Sequence, residues 1–225
     1  MKNCIVYLAH TPDTEELNSS LKLIDQNLLP SIKEKTDVIL FHEKTFEKER
    51  VTGLSNGTII FKKIHFKIPH YPPAIANSIP EFFTHPTHQH LGHKGFTIGY
   101  RHMCRLYSGG LYELSIMDNY DYYLRLDRDS FIHTKLNYDI FEFMKNGGYE
   151  YGYIAPAVQL DHPKVVEGLW ATIRAWIHNT GIKTQKTMSE IPDRTMYYTN
   201  FEIAKTSWFK KSLYWKFFKH IDSVG

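Results

Sequence analysis

Two aspartates separated by one residue, Asp127 and Asp129, are the side chains whose type and spacing most directly predict chemistry. They follow an apolar and aromatic run at residues 120–126, which has the composition of a buried strand. Carboxylates at such a strand end can hold a divalent cation that also binds diphosphate oxygens. The cation would neutralise charge on a departing nucleoside diphosphate, as sugar transfer requires. Because Asp-x-Asp is also common in exposed turns, the alternative is a solvated turn in which Asp129 caps the next segment.

The elements before this turn predict a sheet that could position it. Three short apolar runs have the pattern of strands: residues 4–9, 37–41 and 58–66. A helix is predicted to begin at Thr14, and this strand–helix–strand order indicates a βαβ unit and a mostly parallel sheet. The loop at His10 and Thr11 then lies at the carboxyl end of the first strand, where open α/β sheets bind ligands. We therefore predict that His10 and Thr11 bind a nucleotide, although no glycine-rich fingerprint of a dinucleotide fold is present.

Composition excludes several classes of protein. The chain has 225 residues, of which 42% are hydrophobic and 23% charged, as expected of one globular domain rather than a disordered or collagen-like chain. The net charge of +3 is too small to indicate a nucleic-acid partner. No apolar run is long enough for a membrane span, and the N-terminal run is too short for a signal peptide. On this sequence as given we expect a cytoplasmic protein.

The remainder of the chain predicts more helices and strands, together with one irregular region. Helices are predicted over residues 99–114, 138–145 and 208–221, and a strand over residues 151–158. The proline-rich stretch 69–95 contains four histidines, at positions 85, 88, 90 and 93. These imidazoles could converge on one metal ion. The alternative, a polar loop, is favoured because the cluster contains no cysteine or acidic residue.

Several segments resemble one known family. Residues 99–109 (GYRHMCRLYSG) are similar to the Y-R-H-M-C-R-F-x-S-G segment of the fungal α-1,2-mannosyltransferases, glycosyltransferase family 15. Residues 120–129 match that family's Y-x-Y-Y-W-R-V-E-P-D in register. Shorter similarities follow in the same order, to D-Y-D-P-F-x-F-M, Y-G-F, L-W and S-N-F-E-I, at residues 137–144, 151–153, 169–170 and 200–203. Motifs in order with near-constant spacing make the resemblance more specific than any one of them.

This resemblance implies a fold and an activity. The fold is α/β of the GT-A type, a single domain over residues 1–225 with a mostly parallel central sheet flanked by helices. Residues 1–95 would form its nucleotide-binding βαβ part, and residues 96–225 its Asp-x-Asp and acceptor part. The activity is retaining transfer of mannose from GDP-mannose to a sugar hydroxyl of a glycan or glycoprotein, with Mn²⁺ or another divalent cation. The alternatives are a transferase that uses a UDP-sugar and a non-catalytic module that binds nucleotide or carbohydrate.

The resemblance also implies roles for individual residues. Asp127 and Asp129 fall on the two acids of E-P-D, and Asp129 is the stronger candidate for binding metal and diphosphate. Tyr100 falls on an active-site tyrosine. Glu202 falls on the carboxylate proposed as nucleophile or oxocarbenium stabiliser, a role that retaining transfer can use. Arg125 could bind a donor phosphate or pair with Asp127.

Three departures from the family pattern bear on these expectations. Here E-P-D is D-R-D, so that Arg128 replaces a proline, which puts the choice of donor in question. The sequence stops at Gly225, before the family segment that contains a histidine metal ligand. The chain is therefore either truncated or completes its metal shell in another way. The family is anchored in the Golgi by an N-terminal membrane helix, which this sequence does not contain, although Asn18 and Asn56 begin glycosylation sequons.

Overall fold

The computed structural model describes residues 2–66, 98–154, 159–161, 163, 166, 168–183, 192–197 and 200–224. The chain divides into two compact units. The first unit comprises Met1–Lys67, Gly110–Ile154 and Thr199–Lys211, and the second comprises Ile68–Gly109, Ala155–Tyr198 and Ser212–Gly225. The histidine cluster at residues 85–93 lies outside the described residues, as does the predicted strand beyond Ile154.

The first unit is built on a mixed six-stranded sheet. In chain order the described strands are β1 (Asn3–Ala9), β2 (Thr36–His42), β3 (Gly57–Lys63), β4 (Tyr122–Leu126), β5 (Tyr151–Tyr153), β6 (Gln159–Leu160), β7 (Thr195–Met196) and β8 (Phe201–Lys205). The order in the large sheet is β3-β2-β1-β4-β8-β5. Neighbours from β3 to β4 are parallel, whereas β8 is antiparallel to both β4 and β5. The predicted parallel sheet therefore forms around β1, and an antiparallel pair extends it.

Helices pack on this sheet because their apolar residues recur on one side. Helix α1 (Thr14–Asn27) buries Leu17, Leu21 and Ile24, which lie three or four residues apart and hence on one face. They join alternate residues of the strands in one core, formed by Ile5, Tyr7, Val38, Leu40, Leu124 and Leu126. Because alternate strand residues point to opposite faces, Tyr123 and Arg125 point away from this core. That opposite face carries the polar side chains of the candidate site.

Five further α-helices lie within the described residues. They are α2 (Ile98–Ser108), α3 (Ile140–Asn146), α4 (Leu169–Thr180) and the consecutive pair α5 (Thr206–Lys211) and α6 (Leu213–Val224). Helix α2 ends at Ser108, earlier than predicted, and two short 3₁₀ helices follow it, Gly110–Glu113 and Ser115–Asn119. The single predicted C-terminal helix is two helices, with Ser212 between them. Within the parts of the chain that are described, no helix is both long and apolar enough to cross a bilayer.

The second unit is held together by contacts among its helices. Arg105 of α2 forms a two-pronged ion pair with Asp222 of α6. Trp176 of α4 packs against Phe217 of α6, with ring centroids 5.2 Å apart. Gly109, directly after α2, lies against the ring of Phe218. A Cβ atom at Gly109 would be 2.3 Å from that ring, so a side chain at this position would force the ring to move.

Candidate active site

The Asp-Arg-Asp segment forms a tight turn at the carboxyl end of β4. The amide of Ser130 donates to the carbonyl of Asp127 over 2.9 Å, which closes a four-residue β-turn. The Ser130 hydroxyl accepts from the Asp127 amide at 3.2 Å and donates to the Asn200 carbonyl at 2.9 Å. Because Asn200 directly precedes β8, one serine joins the turn to the ends of two adjacent strands.

Helix α1 supports the turn through a hydrogen bond from Ser20. The Ser20 hydroxyl donates to the Ser130 carbonyl over 2.6 Å, and the phenol of Tyr7 lies 2.9 Å from the Ser20 oxygen. Ser20 and Tyr7 are fully buried. Burial raises the pKa of the Tyr7 phenol, which therefore stays protonated. The Ser130 end of the turn is thus anchored by a buried hydrogen bond from Ser20.

The two aspartates of the turn have different surroundings. Arg125 is buried and pairs with Asp127, with its Nη2 3.0 Å and its Nε 3.3 Å from the same Oδ1 atom. Arg125 was predicted either to bind a donor phosphate or to pair with Asp127, and the structure shows the ion pair with Asp127. Asp129 is exposed, and no described residue forms a hydrogen bond or ion pair with its carboxylate. Asp129 is therefore the acid of this turn that is free to bind a ligand.

The loop after β1 approaches the same turn, because β1 and β4 are adjacent parallel strands. The Nε atom of Arg128 lies 3.2 Å from Asp13 Oδ2 and 3.1 Å from Glu16 Oε2. His10 Nδ1 is 3.5 Å from Asp13 Oδ2, and its side chain is largely exposed. The Thr11 hydroxyl accepts from the amide of Glu47 at 3.0 Å and so supports the segment after β2.

Glu202 lies on β8 directly opposite Arg125 and is 5% exposed. Its Oε1 accepts from the Tyr123 phenol at 2.9 Å and its Oε2 from the Tyr151 phenol at 3.0 Å. The Tyr123 hydroxyl is also hydrogen-bonded to that of Tyr112. Burial raises the pKa of Glu202, while Arg125 and the two phenols oppose that shift. Both carboxylate oxygens are therefore held by the protein beside the Asp-Arg-Asp turn.

The turn offers the kind of ligand that a hard divalent cation prefers. Carboxylate oxygens suit Mn²⁺ and Mg²⁺, which complete their shells with water and substrate phosphates. Asp129 fits this role, and Asp127 has a second oxygen that is not paired with Arg125. Among the described residues no group of three or more His, Cys, Asp or Glu side chains could hold a metal ion. Two carboxylates supply only part of the shell of such a cation, and water and diphosphate oxygens could supply the remainder.

The structure brings together most of the predicted site residues. His10, Thr11, Arg125, Asp127, Asp129 and Glu202 all belong to the first unit. Tyr100 lies on α2 in the second unit and is 45% exposed. The sequence predicts no site role for Tyr123, Tyr151 or Ser20, and it marks Arg128 only as a departure from the family pattern. The alternation of Tyr123, Arg125 and Asp127 along one strand face is the sequence signal that could have identified Tyr123.

One known protein family matches the whole sequence. The family model described as glycolipid 2-alpha-mannosyltransferase matches residues 1–225. The chain belongs to this family. The resemblance predicted from the separate motifs is thereby confirmed. Membership of this family also explains why those motifs occur in the same order along the chain.

Curated relatives match the full chain at modest identity. Glycolipid 2-alpha-mannosyltransferase 1 of Candida albicans is 26% identical over 237 residues, with 100% of this chain and 54% of the relative covered. Alpha-1,2 mannosyltransferase KTR1 of Saccharomyces cerevisiae is 26% identical over 244 residues, covering 100% of this chain and 59% of the relative. The chain thus spans a little over half the length of these relatives.

Solved structures confirm the predicted GT-A fold. Core-mannan synthase A of Aspergillus fumigatus, in its Mn/GDP form, superposes with a TM-score of 0.82 at 22% identity, covering 100% of this chain and 65% of that one. The mannosyltransferase Ktr4p of S. cerevisiae, in complex with GDP, gives a TM-score of 0.78 at 19% identity, covering 99% and 61%. At these identities the likeness establishes the fold.

Proposed function

We propose that this chain is a metal-dependent, retaining α-mannosyltransferase that transfers mannose from GDP-mannose to a sugar hydroxyl of a glycan. The observation that carries the proposal is the unpaired carboxylate of Asp129 directly after β4, the strand on which Arg125 lies opposite the buried Glu202 of β8. Membership of the glycolipid 2-alpha-mannosyltransferase family supports this activity. Two structural neighbours, one in a Mn/GDP form and one in complex with GDP, support the cation and the nucleotide.

Each residue has a distinct task in the proposed reaction. Asp129, with the second oxygen of Asp127, would hold the cation, which supplies positive charge to the departing diphosphate. Arg125 keeps Asp127 in place through the ion pair with its Oδ1. Glu202 would place negative charge near the anomeric carbon, where positive charge develops in a retaining transfer. Tyr100 would position donor or acceptor.

Thermal stabilisation by nucleotides tests the proposal. GDP with Mn²⁺ at about a hundred times its dissociation constant should add roughly 2.7 kcal/mol to the free energy of unfolding. In Asp129→Asn this gain and mannose transfer should disappear, while the melting temperature without ligand stays unchanged. Asp118→Asn, an exposed acid paired with Lys210 in the same unit, is the matched control. Full turnover in Asp129→Asn would contradict the assignment of the metal ligand.

The same assay distinguishes two alternatives. A UDP-sugar donor is favoured by the replacement of E-P-D with D-R-D, and it predicts stabilisation by UDP rather than GDP. A non-catalytic binding module predicts stabilisation by a nucleotide or glycan without transfer to any acceptor. Transfer of mannose by this chain would rule out the second alternative.

For the cellular compartment we propose the Golgi lumen, on the basis of family membership. The alternative is the cytoplasm, which the sequence as given predicts. The side chains of the two sequon asparagines already form hydrogen bonds within the protein: Asn18 donates to the Arg50 carbonyl at 2.9 Å, and Asn56 donates to the Asp25 carbonyl at 3.0 Å. Imaging of the full natural protein beside a Golgi marker tests the proposal, and a diffuse cytosolic signal would contradict it.

A further inference from the structure

Arg128 connects the Asp-Arg-Asp turn to the start of α1. It occupies the second position of the β-turn closed by Asp127 and Ser130. Its guanidinium lies between two carboxylates of the other segment, 3.2 Å from Asp13 and 3.1 Å from Glu16. The side chain is therefore directed away from the acids on either side of it in sequence. It joins two loops that meet at the carboxyl ends of β1 and β4.

The backbone at this position is suited to a proline. Among the described residues only Arg194 combines a side chain with a positive φ, so Asp129 at the third position has a negative φ. A β-turn with negative φ at both central positions favours proline at the second one, where the ring fixes φ near its required value. No hydrogen bond within the described residues uses the Arg128 amide, so a proline here would remove no hydrogen bond. Arginine at this position leaves the turn without that local restraint.

We propose that Arg128 is a positioning residue whose ion pairs with Asp13 and Glu16 take the place of a proline. They hold the turn so that Asp129 is ordered before a cation and diphosphate bind. Because an unrestrained turn loses conformational freedom on binding, its restraint in the free protein raises affinity. The inference rests on the proposed function, since it concerns the same donor site.

A second role for this arginine makes the opposite prediction. If Arg128 bound the diphosphate directly, Asp13 and Glu16 would compete with the ligand for its guanidinium. Removal of one of those charges would then strengthen nucleotide binding. If the ion pairs restrain the turn, the same change weakens binding. Glu16→Gln therefore separates the two roles by the sign of its effect.

Calorimetric titration of GDP in the presence of Mn²⁺, at low and high salt, measures this effect. Because exposed ion pairs contribute modestly, we expect Glu16→Gln, which breaks one pair, to weaken GDP binding by about 2- to 5-fold, and Arg128→Ala, which breaks both, by about 3- to 10-fold. Arg128→Pro should stay within about 2-fold of the unmodified protein and show a weaker salt dependence, because salt screens an ion pair and not a ring. Arg50→Ala, which removes an exposed arginine 3.6 Å from Glu47, is the matched control and should have no effect.

Hydrogen exchange in the ligand-free protein gives an independent measurement. The amides of Asp127 and Ser130 are hydrogen-bonded within the turn. Their exchange should accelerate in Arg128→Ala and return to the original rate in Arg128→Pro. Equal behaviour of these two variants, or tighter GDP binding by Glu16→Gln, would overturn the positioning role. If the unmodified protein bound no GDP, the proposed function would fail, while the exchange rates would still decide the role of Arg128.

Discussion

Removal of a single oxygen atom, in Tyr123→Phe, should destabilise the protein strongly. Tyr123 is fully buried, and its hydroxyl donates to Glu202 Oε1 at 2.9 Å while it is also bonded to Tyr112. A hydrogen bond to a charged group contributes about 1.5–3 kcal/mol, and the loss of the bond to the neutral Tyr112 adds about 1 kcal/mol. The expected loss in the free energy of unfolding is therefore roughly 2–4 kcal/mol.

The adjacent tyrosine provides a matched control. Tyr122 is also buried, but its hydroxyl donates over 3.1 Å to the neutral backbone carbonyl of Tyr149. Tyr122→Phe should cost about 0.5–1.5 kcal/mol, the usual value for one neutral hydrogen bond. Both variants keep the aromatic ring, so the difference in their urea midpoints reports the contribution of the hydrogen bond from Tyr123 to Glu202.

The difference should depend on pH. Burial raises the pKa of Glu202, so its contribution to stability is greatest below the unfolded pKa and is lost as pH rises through the folded pKa. The Tyr123 phenol opposes that loss because it favours the ionised carboxylate. The cost of Tyr123→Phe should therefore grow from acidic to neutral pH, whereas that of Tyr122→Phe should not. Urea unfolding of both variants at several pH values is the assay, and equal, pH-independent losses would refute the reasoning.

Three further changes test other parts of the structure. Ser130→Ala should lower the free energy of unfolding by about 0.5–1.5 kcal/mol in urea titrations, because the Asp127 amide and the Asn200 carbonyl lose the hydroxyl between them and keep only their own 3.3 Å hydrogen bond; a neutral result would contradict the role given to Ser130. Gly109→Ala should cost about 1–3 kcal/mol because its Cβ would overlap the Phe218 ring, and calorimetric scans should show no such loss for Gly53→Ala, which has nothing within 4 Å. A thiol reagent should modify exposed Cys104 in the native protein and Cys4 only after unfolding, because burial raises the pKa of the Cys4 thiol; rapid loss of both thiols would count against the fold.

Local patterns predicted the elements whose residues interact with near neighbours in sequence. The first two strands and α1 follow from apolar runs and helical spacing. The strand bounds differ from the predicted ones by at most one residue, and α1 begins at the predicted Thr14. The placement of Asp127 and Asp129 at a strand end was predictable for the same reason. Insertion of β8 between β4 and β5 was not, because antiparallel pairing between distant segments leaves no local signal.

The sequence alone could not show which of two possible partners a long side chain would bind. Arg125 could reach either a phosphate or Asp127, and only the structure shows that it pairs with Asp127. Burial explains this pairing. Arg125 is only 6% exposed, and an unpaired guanidinium buried to that extent would destabilise the protein, so it pairs with the carboxylate of Asp127. Glu202 is a similar case, because its partners Tyr123 and Tyr151 come from two other strands.

The position of β8 has a consequence for synthesis on the ribosome. β4 emerges with β1 available on one side, but its other side has no partner until Phe201–Lys205 has been translated. β5 is made earlier than β8 and pairs within the large sheet only with β8, so it must wait as well. During this interval the nascent chain exposes an unpaired strand edge together with the polar residues Tyr123 and Arg125. Unpaired edges invite aggregation, so fragments that end before Asn200 should require chaperones to stay in solution.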